Sequence, residues 1–125
     1  VKLVEGIALG MKHLHKFKII HRDLAARNIL LDSNMNPKVA DFGLARIVDK
    51  YEMKGATKAD NGFPIRWMSP EALATRQYGV KSDVWSYGIT LYEIFARKWP
   101  YSEVNDVEIA YKILKEKINP GVPEC

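Results

Sequence analysis

Three side chains whose oxygens can bind a cation stand in the first third of the sequence. Asp23 and Asn28 flank one short polar segment, and Asp41 follows after two short apolar runs. Each of them alone can have a structural role, such as bonding the backbone of a turn. Together they predict a hard, oxygen-lined site of the kind that Mg²⁺ occupies with water and phosphate oxygens. Because Mg²⁺ with so few protein ligands typically sits on a nucleotide, the set favours phosphoryl transfer over a structural metal.

A small hairpin is needed to return the chain so that Asp41 stands beside Asp23 and Asn28. Residues 29–31 and 38–40 are short apolar runs around residues 32–37, a segment of Asp, Ser, Asn, Met and Pro. Asp, Asn and Ser side chains bond nearby backbone groups and Pro fixes φ, so this segment predicts the turn of a hairpin.

Helical periodicity surrounds the hairpin. The first helix is predicted to end near Lys16, with a short buried strand at residues 19–20, because apolar residues recur at helical spacing in Leu3, Ile7, Met11 and Leu14. Residues 80–96 are apolar on nearly every side and predict a buried central helix. A last amphipathic helix is expected over about residues 104–117, and residues 49–62 form a long polar connection.

The composition is that of a folded domain. The chain has 125 residues, 47% hydrophobic and 27% charged, which argues against disorder and fits one domain. No apolar run approaches the roughly 18 residues of a membrane span. The net charge of +4 is scattered rather than gathered in a stripe, which argues against a nucleic-acid partner. The single cysteine excludes an internal disulfide and favours a reducing compartment.

Four motifs in the right order resemble protein kinases. Residues 21–28, His-Arg-Asp-Leu-Ala-Ala-Arg-Asn, match the kinase catalytic loop, and residues 41–43, Asp-Phe-Gly, match the magnesium-binding motif. Residues 69–71, Ser-Pro-Glu, resemble the end of the activation segment, which would span 41–71, and residues 83–88 resemble the start of the buried central helix. The resemblance implies a partial protein kinase domain over residues 1–125. Its fold would be mainly α: a kinase-like large lobe with a small β-hairpin and a long activation loop, truncated at both ends.

The resemblance also implies roles for single residues, with ATP and Mg²⁺ as cofactors. Asp23 would accept the proton of the substrate hydroxyl as it attacks the γ-phosphate of ATP. Asn28 and Asp41 would hold the magnesium ions, and Arg27 would supply positive charge near the γ-phosphate. Leu30 would form the floor under the adenine.

Two cues resemble tyrosine kinases rather than serine/threonine kinases. Ser/Thr kinases usually carry Lys two residues after the catalytic Asp; here that residue is Ala25, and the cation is Arg27. Residues 63–68, Phe-Pro-Ile-Arg-Trp-Met, resemble the substrate platform of tyrosine kinases. Pro64 would give a flat apolar surface with a fixed backbone, and Trp67 would pack behind it.

Further positions are implied to be structural or regulatory. His21 would stack with Phe42, and Asp83 would bond backbone amides of the catalytic loop. Tyr51 is the only tyrosine of residues 41–71, and its phosphorylation is expected to order that loop, because a phosphate brings about −1.5 to −2 charges. Arg22 and Arg46 are the expected phosphate partners.

The family's small lobe, with its glycine-rich loop and its lysine, is not found in these residues, so the chain alone is expected to have little or no activity. The arginine that would pair with Glu71 is not found either, which predicts an unpaired buried charge. The expected partners are a protein substrate with a tyrosine and the remaining parts of the same polypeptide. A membrane would be met only through those parts, and the location would be cytoplasmic or the cytoplasmic side of a receptor. Two alternatives stay open: a pseudokinase or scaffold module, and a tyrosine-kinase-like Ser/Thr kinase.

Overall fold

The computed structural model describes residues 1–41, 45–47, 52–54 and 64–123. Within these ranges the chain forms helices joined by short strand pairs. The helices are α1 (Lys2–Lys16), α2 (Pro70–Thr75), α3 (Val80–Ala96) and α4 (Asp106–Lys115), with single 3-10 turns at Ala26–Asn28 and Ile65–Trp67. The strands are β1 (Ile19–Ile20), β2 (Ile29–Leu31), β3 (Pro37–Val39), β4 (Arg46–Ile47), β5 (Glu52–Lys54) and β6 (Gln77–Gly79).

Helix α1 packs its apolar stripe against the catalytic-loop region. Ile7 and Met11 are buried and form one cluster with Leu24. Gly6 and Gly10 lie on the side of α1 that meets strand β3, where the hairpin approaches closely. A Cβ atom at Gly6 would overlap the ring of Pro37, so only glycine permits this helix–hairpin contact.

The predicted hairpin is present as β2 and β3, which pair antiparallel with Ile29 opposite Val39. Its turn is built by the Asp32 carboxylate, whose Oδ1 accepts the N–H groups of Asn34 and Asn36 at 2.9 and 2.8 Å. The backbone bond from Asn36 is the main reason that the pKa of Asp32 is lowered. The turn therefore follows the Asx chemistry that the sequence predicts.

Two further strand pairs were not predicted. Strand β1 pairs with β4, and β5 pairs with β6, both antiparallel. The predicted layout of one small hairpin and one long loop therefore lacked the strand β5, which lies within residues 49–62. Each pair joins residues that are distant in the sequence, so no local turn signal announces it.

Helix α3 lies at the centre and runs from Val80 to Ala96. Its buried positions are mostly polar: Ser82, Asp83, Ser86 and Thr90, with Ile89 as the apolar one. We expected burial on every side, but Val84 and Phe95 are about half exposed, at 52% and 49%. In the described part of the chain, α3 contacts α1, β6 and both 3-10 turns, which cover only part of its surface.

Helix α4 is shorter than the predicted span of 104–117. It begins after Asn105, whose side chain caps it by accepting the N–H of Glu108. It ends at Lys115, and Lys117 already has a positive φ of 53°. Its apolar side packs Ile109 and Ile113 against Tyr101. None of the helices in the ranges given above is long and apolar enough to cross a bilayer.

Candidate active site

Asp83 anchors the catalytic loop to the first turn of α3. Its Oδ2 accepts the backbone N–H of His21 at 2.9 Å, and its Oδ1 accepts that of Arg22 at 3.0 Å. His15 of α1 contacts Oδ2 from the other side through Nε2 at 2.8 Å. The carboxylate is 1% exposed, so these charge-assisted bonds form away from water. Asp83 thus bonds the loop amides, as the resemblance implies.

The ring of His21 links the loop to the segment that carries Asp41. Its Nδ1 lies 3.1 Å from the backbone nitrogen of Asp23, and its Nε2 lies 2.8 Å from the carbonyl oxygen of Ala40. A backbone N–H can only donate, so Nδ1 is the acceptor and Nε2 carries the proton. The neutral, fully buried ring therefore ties the backbone of Asp23 to the residue that precedes Asp41.

Asp23 forms a connected group with Arg27 and Asn28, which lie on the 3-10 turn that follows it. Arg27 donates from Nη2 to Oδ1 of Asp23, and the two side chains form an ion pair. The buried amide of Asn28 donates from Nδ2 to the carbonyl oxygen of Asp23 at 2.6 Å. This bond uses the donor end of the amide and leaves its oxygen as a candidate metal ligand.

The backbone at Asp41 is held next to this group. Ala40 donates its N–H to the carbonyl of Asn28 at 2.8 Å and accepts from His21 on its other side. Asp41 is exposed and has a φ of 58°, a left-handed conformation that is uncommon for a residue other than glycine. The loop and the hairpin are therefore joined where the resemblance expects the magnesium ligands.

Asn28 and Asp41, the predicted ligands, offer the oxygen atoms that Mg²⁺ prefers. The described ranges contain no group of three or more His, Cys, Asp or Glu side chains that could hold a metal ion. An amide and one or two carboxylates are the few oxygen ligands that Mg²⁺ takes when phosphate and water supply the others. Asn28 and Asp41 stay the predicted ligands.

Leu30 lies on β2 and is 57% exposed, while Ile29 beside it packs against the α1 cluster. An exposed leucine next to the catalytic loop has the apolar surface that an adenine floor needs. That role of Leu30 stays a prediction.

The predicted substrate platform is organised around Trp67. This ring is 7% exposed, and the guanidinium carbon of Arg27 lies 4.6 Å from its centre. Its indole N–H donates to Oε2 of Glu93 at 2.8 Å, and the same oxygen accepts the backbone N–H of Ala26 at 2.8 Å. Pro64 is buried, so its ring is not the open apolar surface that we expected.

Glu93 and Arg66 are important residues that the sequence analysis missed. Arg66 is 8% exposed and donates to the carbonyl oxygens of Pro100, Tyr101 and Val104 and to the carboxylate of Asp106. Both are charged residues inside apolar runs. Burying a charge without partners is costly, so this pattern indicates a specific partner and could have drawn attention to them.

The positions predicted to be regulatory are only partly described. Arg22 is 6% exposed, and its guanidinium carbon lies 4.2 Å from the centre of the Tyr78 ring. Tyr51 and Phe42 lie outside the described residues, as does the side chain of Arg46.

Glu71 corrects one expectation. We predicted a buried charge without a partner, but Glu71 is exposed in the first turn of α2. Solvent and the positive end of a helix both favour a carboxylate there, so no burial penalty arises.

Comparisons with known proteins agree with these motifs. Fibroblast growth factor receptor 2 of Dugesia japonica is 56% identical to the chain over 99 residues, which is 78% of the chain. Fibroblast growth factor receptor 1 of the same organism is 49% identical over 91% of the chain. Ephrin type-B receptor 4b of Danio rerio is 41% identical over 100% of the chain.

The chain spans 11–13% of the length of these three relatives. The family model for protein tyrosine and serine/threonine kinases matches residues 1–125. With a match over its whole length, the chain belongs to the protein tyrosine and serine/threonine kinase family.

Proposed function

We propose that this chain is the catalytic-loop portion of a protein tyrosine kinase, which transfers the γ-phosphate of ATP to a protein tyrosine within a longer polypeptide. The observation that carries the proposal is the buried network that starts at Asp83. It holds the backbone of His21, and the ring of His21 in turn holds Asp23 and Ala40. Such a network pre-organises a base beside a metal site, which is how phosphoryl transfer is catalysed.

Each residue of the site has a role in this proposal. Asp23 orients the substrate hydroxyl and accepts its proton through the carboxylate oxygen that Arg27 does not bind. Arg27 supplies positive charge next to that carboxylate. Asn28 and Asp41 would hold Mg²⁺, which when bound neutralises charge on the phosphates of ATP.

Tyrosine specificity is supported by the packing of Ala25. Ala25 is fully buried in one cluster with Trp67 and Ile89. A lysine, the residue that the resemblance expects here in Ser/Thr kinases, would bury its charge in this cluster. The cation comes instead from Arg27, which lies over Trp67. The similarity to growth factor and ephrin receptors favours the same class and a location on the cytoplasmic side of a membrane receptor, with a tyrosine-containing protein as substrate.

The full-length protein with ATP and Mg²⁺ tests the activity. Two peptides that differ only in Tyr or Ser at the acceptor position should show transfer to Tyr alone. D23N should lower kcat by about a hundredfold or more, the range for loss of a catalytic acid or base. The matched control is E5Q, which removes an exposed carboxylate on α1 and should leave kcat unchanged. Nucleotide binding without transfer would indicate a pseudokinase, and transfer to Ser would contradict tyrosine specificity.

Regulation by Tyr51 forms a separate part of the proposal. A phosphate on Tyr51 would pair with Arg22 or Arg46 and order residues 41–71. Y51F in the full-length protein should abolish activation by preincubation with ATP. Unchanged activation in that variant would contradict this part alone.

A further inference from the structure

The exposed side of α1 carries apolar side chains in a line. Leu9 is 65% exposed and Phe17, directly after the helix, is 56% exposed, while Ile7 and Met11 are buried on the opposite side. Helix positions four residues apart lie on one face, so Leu9, His13 and Phe17 follow one another along it. The rings of His13 and Phe17 meet edge to face with centres 5.0 Å apart, which positions the Phe17 ring at the surface.

Cations border this apolar line. Lys12, Lys16 and Lys18 are exposed, and residues 6–22 contain neither Asp nor Glu. Among the residues that the structure describes, no salt bridge involves any of these three lysines. Charge that is scattered over the sequence as a whole is therefore concentrated at the carboxyl end of α1.

The acidic residues near α1 do not neutralise this end of the helix. Glu5 lies in the first turn, and Asp32 lies in the hairpin turn, which α1 meets near its beginning. On α3, the buried Asp83 bonds the catalytic loop, and Glu93 bonds Trp67 and Ala26. The elements β3 and α3, which pack against α1, add two exposed cations, Lys38 and Lys81.

The shape and chemistry of this face fit a flat anionic surface. The outer side of a helix is convex, so its side chains reach a planar partner together. An acidic peptide would pair with the lysines but would leave Leu9 and Phe17 in water. An anionic membrane leaflet offers phosphates to the lysines and an apolar boundary to Leu9 and Phe17. The apolar stems of lysines can also lie along that boundary while the ammonium groups stay in water.

We propose that the exposed face of α1, from Leu9 to Lys18, is a contact surface for anionic membrane lipids. Lys12, Lys16 and Lys18 bind the headgroup phosphates, and Leu9 and Phe17 enter the headgroup region. The inference rests on the location at the cytoplasmic side of a membrane that the proposed function includes. Membrane contact was expected only through other parts of the polypeptide, and this face adds a contact within the present chain.

The experiment measures how accessible the lysines are in the full-length protein. The protein is reconstituted with vesicles of phosphatidylcholine alone or of an equal mixture with phosphatidylglycerol, which have no primary amines, and brief acetylation is read by mass spectrometry. Labelling of Lys12, Lys16 and Lys18 should be about fivefold slower in the mixed vesicles, since one lysine at an anionic surface raises binding by about that factor. Lys115 and Lys117 are exposed internal controls and should be labelled equally in both.

A double variant tests the role of the cations. K12Q/K16Q removes two positive charges and leaves the apolar residues in place, so the labelling rate of Lys18 should differ by about twofold or less between the two kinds of vesicle. The matched control is K115Q/K117Q, which removes two exposed lysines elsewhere. It should keep the wild-type protection of Lys12 and Lys16.

A single variant tests the role of the aromatic residue. F17S should weaken the protection of Lys12 and Lys16 without abolishing it, because the leaflet loses an apolar contact and keeps the cations. The matched control is F95S, which removes a side chain of α3 that is 49% exposed. Its protection should equal that of wild type. Full protection in F17S would contradict the role of Phe17.

The outcomes separate this inference from the proposed function. Transfer to a tyrosine peptide with equal lysine labelling in both kinds of vesicle would overturn only the membrane surface. Protection in the mixed vesicles without transfer to any tyrosine peptide would overturn only the kinase activity. Protection by inorganic phosphate or by polyglutamate, with none from phosphatidylglycerol, would indicate a free anion or an acidic protein and would overturn the membrane surface.

Discussion

One carboxylate oxygen of Glu93 accepts two hydrogen bonds, from the indole N–H of Trp67 and from the backbone N–H of Ala26, each at 2.8 Å. Ala26 belongs to the predicted catalytic loop, and Trp67 belongs to the predicted substrate platform. Glu93 therefore fixes the position of the predicted substrate platform relative to the predicted catalytic loop.

Replacing Glu93 by Ala should loosen this connection. The variant leaves two donors without their acceptor, at a cost of about 1–3 kcal/mol each in unfolding free energy. We expect kcat/KM for a tyrosine peptide to fall by about tenfold or more, with little change in the KM for ATP. E93Q keeps one oxygen acceptor, so its kcat/KM should fall much less than that of E93A. Equal losses in kcat/KM for E93A and E93Q would contradict a hydrogen-bonding role.

Asp83 should be intolerant even of Asn. Both carboxylate oxygens accept backbone N–H groups, from His21 and Arg22. An amide offers one oxygen and must turn its own N–H₂ toward the other donor, so D83N should cost about 3 kcal/mol of unfolding free energy. Kinase activity should fall with it, because the backbone of the catalytic loop is no longer held.

His15 supplies the matched control for Asp83. H15A removes the hydrogen bond between the side chains of His15 and Asp83 and leaves the backbone bonds of Asp83 in place. It should lower the unfolding free energy by about 1 kcal/mol. Urea unfolding of the full-length variants measures both changes. Comparable losses in D83N and H15A would show that the backbone bonds contribute little.

The sequence predicted the local features well because their causes are local. The bounds of α3, the end of α1 near Lys16 and the hairpin around Asp32 follow from periodicity and turn residues. The position of Asp23 and Asn28 on one loop follows from their spacing.

The features that it missed depend on contacts between distant segments. Glu93 bonds Trp67 across the molecule, and β5 pairs with β6 through residues far apart in the chain. Glu71 was wrongly predicted to be buried. The motif that it belongs to does not show which other residues pack around it. The burial of Pro64 was missed because burial depends on tertiary packing, which a short motif does not encode.

Glycines inside the helices provide a test of close packing. Gly→Ala in a helix normally stabilises by about 0.5–1 kcal/mol, because alanine loses less backbone entropy. G88A should follow this rule, since in the described residues nothing lies within 4 Å of a Cβ at Gly88. G6A should instead destabilise by about 1–3 kcal/mol, because its methyl group overlaps the ring of Pro37. Adding P37A to G6A should restore part of the loss in melting temperature, and a stabilised G6A would contradict the packing described here.

Tyr101 should make stability depend on alkaline pH. The residue is 3% exposed, and in the described part of the chain its hydroxyl has no hydrogen-bond partner. Burial raises the pKa of Tyr101 from 10.0 to about 12, because the charged phenolate is poorly solvated there. As the pH rises, Tyr101 therefore loses its proton at a lower pH in the unfolded state than in the folded state. Stability from this group is present below pH 10 and falls by about 2–3 kcal/mol as the pH rises to about 12.

The variant Y101F removes the group that titrates and also the buried hydroxyl that has no hydrogen-bond partner in the described residues. It should be more stable than wild type at pH 7 by about 1 kcal/mol, since a buried polar group without a partner is lost. Between pH 10 and 12 its stability should fall less steeply than that of wild type. The control is Y111F, because Tyr111 is 62% exposed. Its unfolding free energy should match that of wild type at pH 7 and between pH 10 and 12. Parallel pH profiles of unfolding free energy for wild type and Y101F would show that the phenol of Tyr101 titrates as it does in water.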